Sequence, residues 1–155
     1  MADLQELEAI KRLKYKYLRC LDEKQWDEMA ECFTDDATVA YGDGKFSFSG
    51  RERIMGFLRD ALGPHSRITS HRVQQPEIDF TGPATATGVW ALDDVVIDTE
   101  SRSVIRGAAF YRDEYVKVGG QWRIKSTGYR RLFEEWFSRG DTPSWRLTAN
   151  RWAAE

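Results

Sequence analysis

Residues 84–98 read ATATGVWALDDVVID, a run of β-branched, aromatic and small side chains without a helical period. Such a run predicts a β-strand that is covered on both faces for most of its length. Three strands of similar character are predicted around it, at about 66–80, 104–118 and 121–133. The connections at 81–83, 98–103 and 119–120 are short enough for hairpins, so the four strands are predicted to form one antiparallel meander.

The chain before residue 64 has helical periodicity instead. Apolar residues recur at steps of three or four from Leu4 to Leu21, which predicts an amphipathic helix with Asp3 and Glu6 as its capping box. A second helical stretch is predicted over about 26–33, with Cys32 on its apolar side, followed by a short strand over 37–41. Helices therefore precede a strand-rich half.

A third helix is predicted between the capping box Ser49–Glu52 and the terminating pair Gly63-Pro64. Helices followed by a long antiparallel sheet predict an α+β domain, in which the helices cover one face and the sheet curls around them. A single domain over 1–155 is expected. Residues 134–155, which contain a proline, a glycine and several tryptophans, are predicted to be an ordered C-terminal extension.

Composition excludes several classes of function. The 155 residues carry 23 Lys and Arg against 25 Asp and Glu, so a net charge of -2 offers no polybasic patch for nucleic acid or membrane. The chain is 41% apolar, which is enough for a real core. No apolar run approaches membrane-spanning length, and the charged N-terminus is unlike a secretory signal, so a cytoplasmic protein is expected.

Histidine is scarce and therefore informative. The first long strand carries His71 centrally, in Thr69-Ser70-His71, whereas His65 lies at its start beside a proline. A neutral imidazole accepts a proton near neutral pH and needs a carboxylate to hold its tautomer. Asp22, at the end of the first helical stripe, is the candidate carboxylate. On the sequence alone, a surface or satisfied core histidine and a capping or turn aspartate are the more common explanation of these two residue types.

Two adjacent aspartates interrupt the apolar run of the second long strand. Alternation places Asp94 with Trp90 and Leu92, and Asp93 on the other face, unless a bulge at Gly88 exchanges them. An interior carboxyl among apolar neighbours is expected to stay protonated and to act as a general acid. A pair of solvated charges is the alternative, and the sequence favours neither.

Two further polar groups are candidates. Tyr17 lies on the buried stripe of the first helix, so its phenol needs a partner, either from the protein or from a ligand. Arg131 follows Tyr129 at a spacing of two on the last strand, with Arg130 on the opposite face. Most strand arginines are solvated, and the sequence leaves open which of the two points inward.

Motifs for other chemistries are absent from the sequence. It contains no phosphate-binding glycine loop, no HExxH, no GxSxG and no reactive cysteine–histidine pair, and two distant histidines are too few for a histidine-rich metal centre. Neither a cofactor nor a metal is therefore expected. The remaining chemistry is proton transfer inside an apolar pocket.

A series of short motifs recurs in a fixed order along the chain. They are Tyr17-x4-Asp22, Trp26-Asp27, Cys32-Phe33-Thr34-Asp35-Asp36-Ala37, Gly50-Arg51-Glu52-x-Ile54, Thr69-Ser70-His71, Ala86-Thr87-Gly88-x-Trp90, Gly107-x3-Tyr111-x3-Tyr115 and Gly120-Gln121-Trp122-Arg123-Ile124. In this order they resemble the SnoaL-like branch of the nuclear transport factor 2-like superfamily. Within it the chain looks closest to the bile-acid 7α-dehydratases, and more distantly similar to scytalone dehydratases and hexachlorocyclohexane dehydrochlorinases.

The resemblance implies a fold, a site and an activity. The implied fold is a cone-shaped α+β barrel with a deep apolar pocket, and the implied catalytic set is Tyr17, Asp22, His71, Asp94 and Arg131. The expected activity is a cofactor-free dehydratase that acts on a small hydrophobic ring substrate such as a steroid, bile acid or polyketide. An isomerase or cyclase of the same fold, or a non-catalytic ligand-binding module, is the alternative.

Pocket walls and assembly complete these expectations. Trp90, Leu92, Tyr129 and Phe57 are expected to contact the substrate. A sheet curled over three helices leaves a convex apolar face, which another copy of the chain would cover. A homotrimer or homodimer is therefore expected, a state that the resemblance also implies.

Overall fold

Three α-helices and six β-strands build residues 4–153, the part of the chain that the computed structural model describes. In chain order they are α1 (Leu4–Asp22), α2 (Trp26–Ala30), β1 (Phe33–Tyr41), β2 (Phe46–Ser49), α3 (Arg51–Leu62), β3 (Arg67–Gly82), β4 (Thr85–Asp98), β5 (Ser103–Val118) and β6 (Gln121–Ser138), with a 3₁₀ turn over Arg139–Asp141. None of the described helices is long and apolar enough to cross a membrane.

All six strands belong to one sheet in the order β2-β1-β6-β5-β4-β3. The meander from β3 to β6 is antiparallel as predicted, and β1 joins its β6 edge in parallel. Helices α1 and α3 pack against the sheet, which curves around them but stays open, because the edge strands β2 and β3 do not pair with each other. The predicted α+β class and cone are thus confirmed, with an unclosed barrel.

The core lies between α1 and the inward side chains of the sheet. Ile10 and Tyr17 of α1 are fully buried, as are Trp90 of β4 and Ile124 of β6. Because burying one large aliphatic side chain stabilises a fold by about 1.5–3 kcal/mol, the apolar stripe of α1 holds this helix on the sheet.

Four elements, α2, β1, β2 and β6, differ from the predicted ones. Helix α2 ends at Ala30, and Phe33 already pairs with Ile124 of β6, so the predicted helix over 26–33 is too long. Strand β2 had no prediction because it has only four residues, and it pairs with β1 across a turn that contains two glycines with positive φ. Strand β6 continues to Ser138, which pairs with Ser103, so residues 134–138 belong to the sheet.

The capping predictions also change. Ser49 is the last residue of β2, and Gly50, at a φ of 91°, precedes α3 without any side-chain cap, so the Ser49–Glu52 capping box is wrong. Only glycine adopts such a φ without strain. Asp3 lies outside the described residues. Its predicted partner Glu6 accepts hydrogen bonds from Lys117 at 2.7 Å and Trp122 at 2.6 Å.

Both cysteines are free and buried, and burial raises the pKa of the Cys32 thiol to about 12. An unfolded cysteine titrates near 8.5, so raising the pH from 7 to 9 ionises Cys32 in the unfolded chain but not in the folded protein. We expect iodoacetamide at pH 8 to leave Cys32 unmodified until denaturant is added, as read by mass spectrometry of the peptides. Fast labelling of the native protein would contradict this burial.

Candidate active site

Three neighbouring strands place a row of residues side by side on the concave face. His71 of β3 lies opposite Asp94 of β4, and Asp94 lies opposite Gly107 of β5. On β6, Leu132 is an extra residue in the pairing with β5, because Ala108 pairs with Phe133 and Ala109 with Arg131. This bulge accompanies an inward-facing Arg131 side chain.

Gly107 leaves the space that Arg131 occupies. A Cβ atom at position 107 would lie 2.8 Å from Arg131 Nη1 and 2.5 Å from the carbonyl oxygen of Phe133, distances that real contacts do not reach. Because glycine has no side chain, the guanidinium passes over β5 and reaches Asp94. The geometry of the row thus depends on Gly107, a residue without a reactive side chain.

The predicted hydrogen bond between His71 and Asp22 is present. Nδ1 of the imidazole lies 2.7 Å from Asp22 Oδ1, and the backbone N–H of His71 donates to Oδ2 at 2.8 Å. Thr69 Oγ1 also donates to Oδ1 at 2.8 Å. Three contacts therefore orient a carboxylate at the last residue of α1. With Nδ1–H donating to it, Nε2 keeps the lone pair that can accept a proton.

Arg131 and Asp94 form a bidentate ion pair. Nη1 donates to Oδ1 and Nη2 donates to Oδ2 at 3.0 Å, while Nε donates to Glu134 at 3.0 Å. Burial lowers the pKa of Arg131, but the hydrogen bonds and charge of Asp94 outweigh it, so the pKa rises and the guanidinium stays charged. Arg130 is largely exposed, which answers the question that the sequence left open.

This ion pair corrects the expectation for Asp94. Its carboxyl is buried beside Leu92, as alternation predicts, but it is not isolated among apolar groups. A carboxylate that accepts two guanidinium hydrogen bonds has its charge balanced, so the argument for a protonated general acid loses its premise. Arg131 is the donor that this part of the site presents.

Tyr17 is fully buried, and its hydroxyl contacts the hydroxyl of a second tyrosine. Its hydroxyl lies 2.7 Å from the hydroxyl of Tyr41 at the end of β1, and Tyr41, not Tyr17, lines the cavity. Burial raises the pKa of both phenols, which keeps them neutral hydrogen-bond donors. Tyr41 had no sequence prediction, although the inward alternation Ala37, Val39, Tyr41 was a usable signal.

A cavity of about 500 Å³ opens above these groups. His71, Asp94 and Arg131 line it, and the other polar lining residues are Lys45, Arg67, Asp98, Ser103 and Glu134. The rest of the wall is apolar. The apolar and aromatic lining residues are Leu21, Tyr41, Phe46, Phe57, Leu58, Ala61, Leu62, Val96, Ile105, Tyr111 and Tyr129. Phe57 stacks on Phe46 and Phe48, with ring centroids 5.3 and 4.6 Å apart. The cavity therefore suits a flat, mainly apolar molecule that carries oxygen atoms.

Two of the four expected contact residues lie elsewhere. Phe57 and Tyr129 line the cavity, but Trp90 and Leu92 do not. Trp90 is fully buried beneath α1, with its ring centroid 6.0 Å from that of Tyr15, and its indole N–H donates to Tyr115 at 2.9 Å. Trp90 and Leu92 lie on the same face of β4 as Asp94, but α1 covers the part of β4 that carries them.

The second histidine has a different environment. His65 stacks on Trp152 of the C-terminal extension, with ring centroids 5.1 Å apart. Arg151, the residue before Trp152, pairs with Glu23 at 3.0 Å. These contacts hold the extension against the turn after α1. Within residues 4–153, no cluster of three or more His, Cys, Asp or Glu side chains is arranged to hold a metal ion.

Comparison with known proteins agrees with this architecture. The family model described as SnoaL-like domain matches residues 2–128. A solved structure from Novosphingobium aromaticivorans, assigned by inference as a scytalone dehydratase, is 27% identical, with a TM-score of 0.79 over 95% of this chain and 92% of the other. A hexachlorocyclohexane dehydrochlorinase structure, LinA type 2, is similar in fold at 21% identity and a TM-score of 0.79, covering 87% and 90% of the two chains.

A further relative carries the name of a different activity. A protein of Gibberella zeae, named by inference as a cyclase, is 24% identical over 136 residues, which cover 80% of this chain and 89% of the relative. The match to the family model ends at residue 128, before Arg131. Arg131 therefore lies outside the part of the chain that the family model matches.

Proposed function

The chain belongs to the SnoaL-like domain family, and from that premise we propose that it is a cofactor-free lyase that eliminates water from a hydrophobic ring-shaped alcohol. A steroid, bile acid or polyketide with a carbonyl near the hydroxyl is the proposed substrate class. The observation that carries the proposal is the His71–Asp22 pair, whose imidazole lines a largely apolar and aromatic cavity together with Arg131. The dehydratase and dehydrochlorinase names of the structural neighbours support it.

His71 is the proposed base. Its Nε2 takes the proton from the carbon α to the carbonyl, the C–H electron pair becomes the C=C bond of an enolate, and the π pair of the carbonyl moves onto its oxygen. The carbonyl then re-forms, the enolate C=C pair shifts to make the new C=C bond between the α and β carbons, and the C–O bond between the β carbon and the hydroxyl breaks. The hydroxyl takes the proton back from the imidazolium and leaves as water, while Asp22 stabilises the imidazolium in between.

Arg131 and Tyr41 are the proposed donors to oxygen. The charge that develops on the carbonyl oxygen needs hydrogen-bond donors that are already in place. Arg131 is oriented by Asp94, and Tyr41 by Tyr17, and both line the cavity. Asp94 and Tyr17, expected from the resemblance to act directly on the substrate, are in this proposal the groups that orient these donors.

Replacing Asp94 by asparagine tests the donor arrangement. The variant keeps the shape of the side chain but removes the charge that holds Arg131, so we expect kcat to fall about 10²-fold with KM changed by less than about threefold. Asp93→Asn is the matched control, because the exposed Asp93 directly precedes Asp94 on β4 and accepts a hydrogen bond from Gln74. Equal effects of the two substitutions, or a change in KM alone, would count against the arrangement.

Two other functions use the same cavity. An isomerase or cyclase would move the same proton without losing water, and the name of the Gibberella zeae relative favours this second candidate. A binding module would hold the ligand without changing it. The mass of the product separates them, because dehydration removes one water from the substrate and rearrangement removes nothing.

The proposal is tested by a substrate screen. Hydroxy-ketosteroids, bile-acid derivatives and hydroxylated aromatic polyketides are incubated with the protein, with absorbance of the conjugated product and product mass as readouts. We expect at least one to lose water with the wild-type protein and none with His71→Ala. Ligands that bind tightly and are recovered unchanged would instead identify a binding module.

Self-association is the proposed assembly. The outward face of β5 and β6 exposes large apolar side chains, among them Phe110 and Phe133, the latter 50% exposed. Contiguous exposed apolar groups favour an interface. We expect sedimentation at micromolar concentration to give a trimer or dimer of the 17.9 kDa chain. Phe133→Glu should dissociate it, whereas Trp136→Glu, on the opposite face of β6, should not. A wild-type monomer would refute this.

A further inference from the structure

A buried ion pair lies next to the cavity and takes no part in the proposed reaction. Lys14 of α1 is 0% exposed and Asp113 of β5 is 3% exposed, and Lys14 Nζ lies 2.7 Å from Asp113 Oδ2. The carboxylate also accepts hydrogen bonds from Tyr115 and from Thr127, both at 2.6 Å. Trp90 donates to the same Tyr115 hydroxyl. One polar network therefore ties α1 to β4, β5 and β6.

The ammonium of this pair lies against the phenols of the site. Lys14 Nζ is 3.4 Å from the ring centroid of Tyr111 and 4.9 Å from that of Tyr17. Tyr111 lines the cavity, and Tyr17 bonds the hydroxyl of Tyr41, which also lines it. The rings of Tyr17 and Tyr111 meet edge to face, with centroids 6.4 Å apart. A cation over an aromatic ring attracts its face and restricts where the ring can lie.

Stability alone does not require an ion pair at this place. Desolvation is expensive for both charges, and well-packed apolar side chains often serve a core equally well. Burial lowers the pKa of Lys14, and the attraction of Asp113 works against that change. Hydrogen bonds to a charged group are directional, whereas apolar contacts are not. The bonds to Asp113 therefore fix where Lys14, Tyr115 and Thr127 lie.

We propose that Lys14 and Asp113 are positioning residues that hold the rings of Tyr111 and Tyr17 and thereby aim the Tyr41 hydroxyl into the cavity. The inference rests on the proposed function for its effect on turnover. Its geometric part, the restraint on the phenol rings, stands independently of any substrate.

A matched pair of double variants tests the inference. Lys14→Met with Asp113→Asn removes both charges and keeps side-chain size, whereas Glu6→Gln with Lys117→Met removes another ion pair between α1 and β5 that touches neither phenol ring. With ¹³C-labelled tyrosine rings, we expect the NMR signals of Tyr17, Tyr41 and Tyr111 to move in the first variant only. Unchanged signals in a folded first variant would overturn the inference.

A measurement on the unaltered protein guards against a variant that fails to fold. A restrained Tyr111 ring flips slowly, so its two ε carbons should give separate signals in the wild-type protein. A single averaged signal would show that the ring is not held, and would overturn the inference without any substitution.

Turnover gives the remaining readout. With a substrate found by the screen, we expect the Lys14→Met/Asp113→Asn variant to lose about 10²-fold in kcat with KM within about threefold, because a displaced donor weakens the transition state. The Glu6→Gln/Lys117→Met variant should keep wild-type kcat. Unchanged kcat in the first variant overturns the inference and leaves the proposed function intact. If the wild-type protein turns over no substrate, the proposed function fails, and the ring signals still decide the positioning.

Discussion

Replacing His71 by alanine is expected to lower kcat by about 10²–10⁴-fold without unfolding the domain, because the variant removes the only imidazole that lines the cavity. The side chain sits at the cavity wall and bonds Asp22, so its removal leaves the rest of the core in place. His65→Ala is the matched control, since His65 stacks on Trp152. Retained activity in His71→Ala, with an unchanged circular dichroism spectrum, would remove the central claim.

Asp22→Asn extends this test. The asparagine keeps the shape of the carboxylate but loses the charge that stabilises the imidazolium and fixes the proton on Nδ1. Because the two residues act as one unit, the variant carrying both substitutions should be no slower than His71→Ala alone. Multiplied losses in the double variant would show that they act separately.

Replacing Lys14 alone by methionine is expected to destabilise the protein by about 3–5 kcal/mol, because it leaves the Asp113 carboxylate buried without its counter-charge. Tyr115 and Thr127 still donate to that carboxylate, but neutral donors do not replace a cation. The free energy of unfolding from urea titration is the measurement.

Two comparisons make the stability prediction specific. Lys117→Met breaks a solvent-accessible ion pair between the same two elements and should lose clearly less. Adding Asp113→Asn to Lys14→Met should recover much of the loss, because no unpaired charge remains. Equal losses for Lys14→Met and Lys117→Met would contradict the burial of the first pair.

Local patterns predicted most of the fold. The four long strands and the first and third helices follow from periodicity, because each buries a continuous face. Cys32 and Phe33 were assigned to a helix since their spacing from Met29 fits one, but pairing of Phe33 with Ile124, distant in sequence, overrides that spacing. The short β2 depends likewise on its partner strand.

The sequence predicted individual residues of the site, but not all the contacts between them. His71 and Asp22 were identified as a pair, and alternation placed Asp94 inward. That Asp94 binds Arg131 depends on the bulge at Leu132 and the empty space at Gly107, which no local pattern reports. Lys14 and Asp113 could have been identified as buried charges, because each lies on the same face as the buried residues of its own helix or strand.

The opposite walls of the cavity have different functions. The base, the donors and the residue that orients Arg131 lie on the strands β1, β3, β4 and β6, whereas Phe57, Leu58, Ala61 and Leu62 on α3 and Phe46 on β2 shape the far wall. Substitutions on α3 thus change the wall that faces the substrate without replacing the base or the donors. Phe57 is the exception to keep, because its ring stacks on that of the donor Tyr41, with centroids 6.3 Å apart. Such an arrangement lets descendants of one protein accept new molecules while inheriting an unchanged proton-transfer apparatus, and it makes α3 the natural segment to randomise when a new specificity is sought.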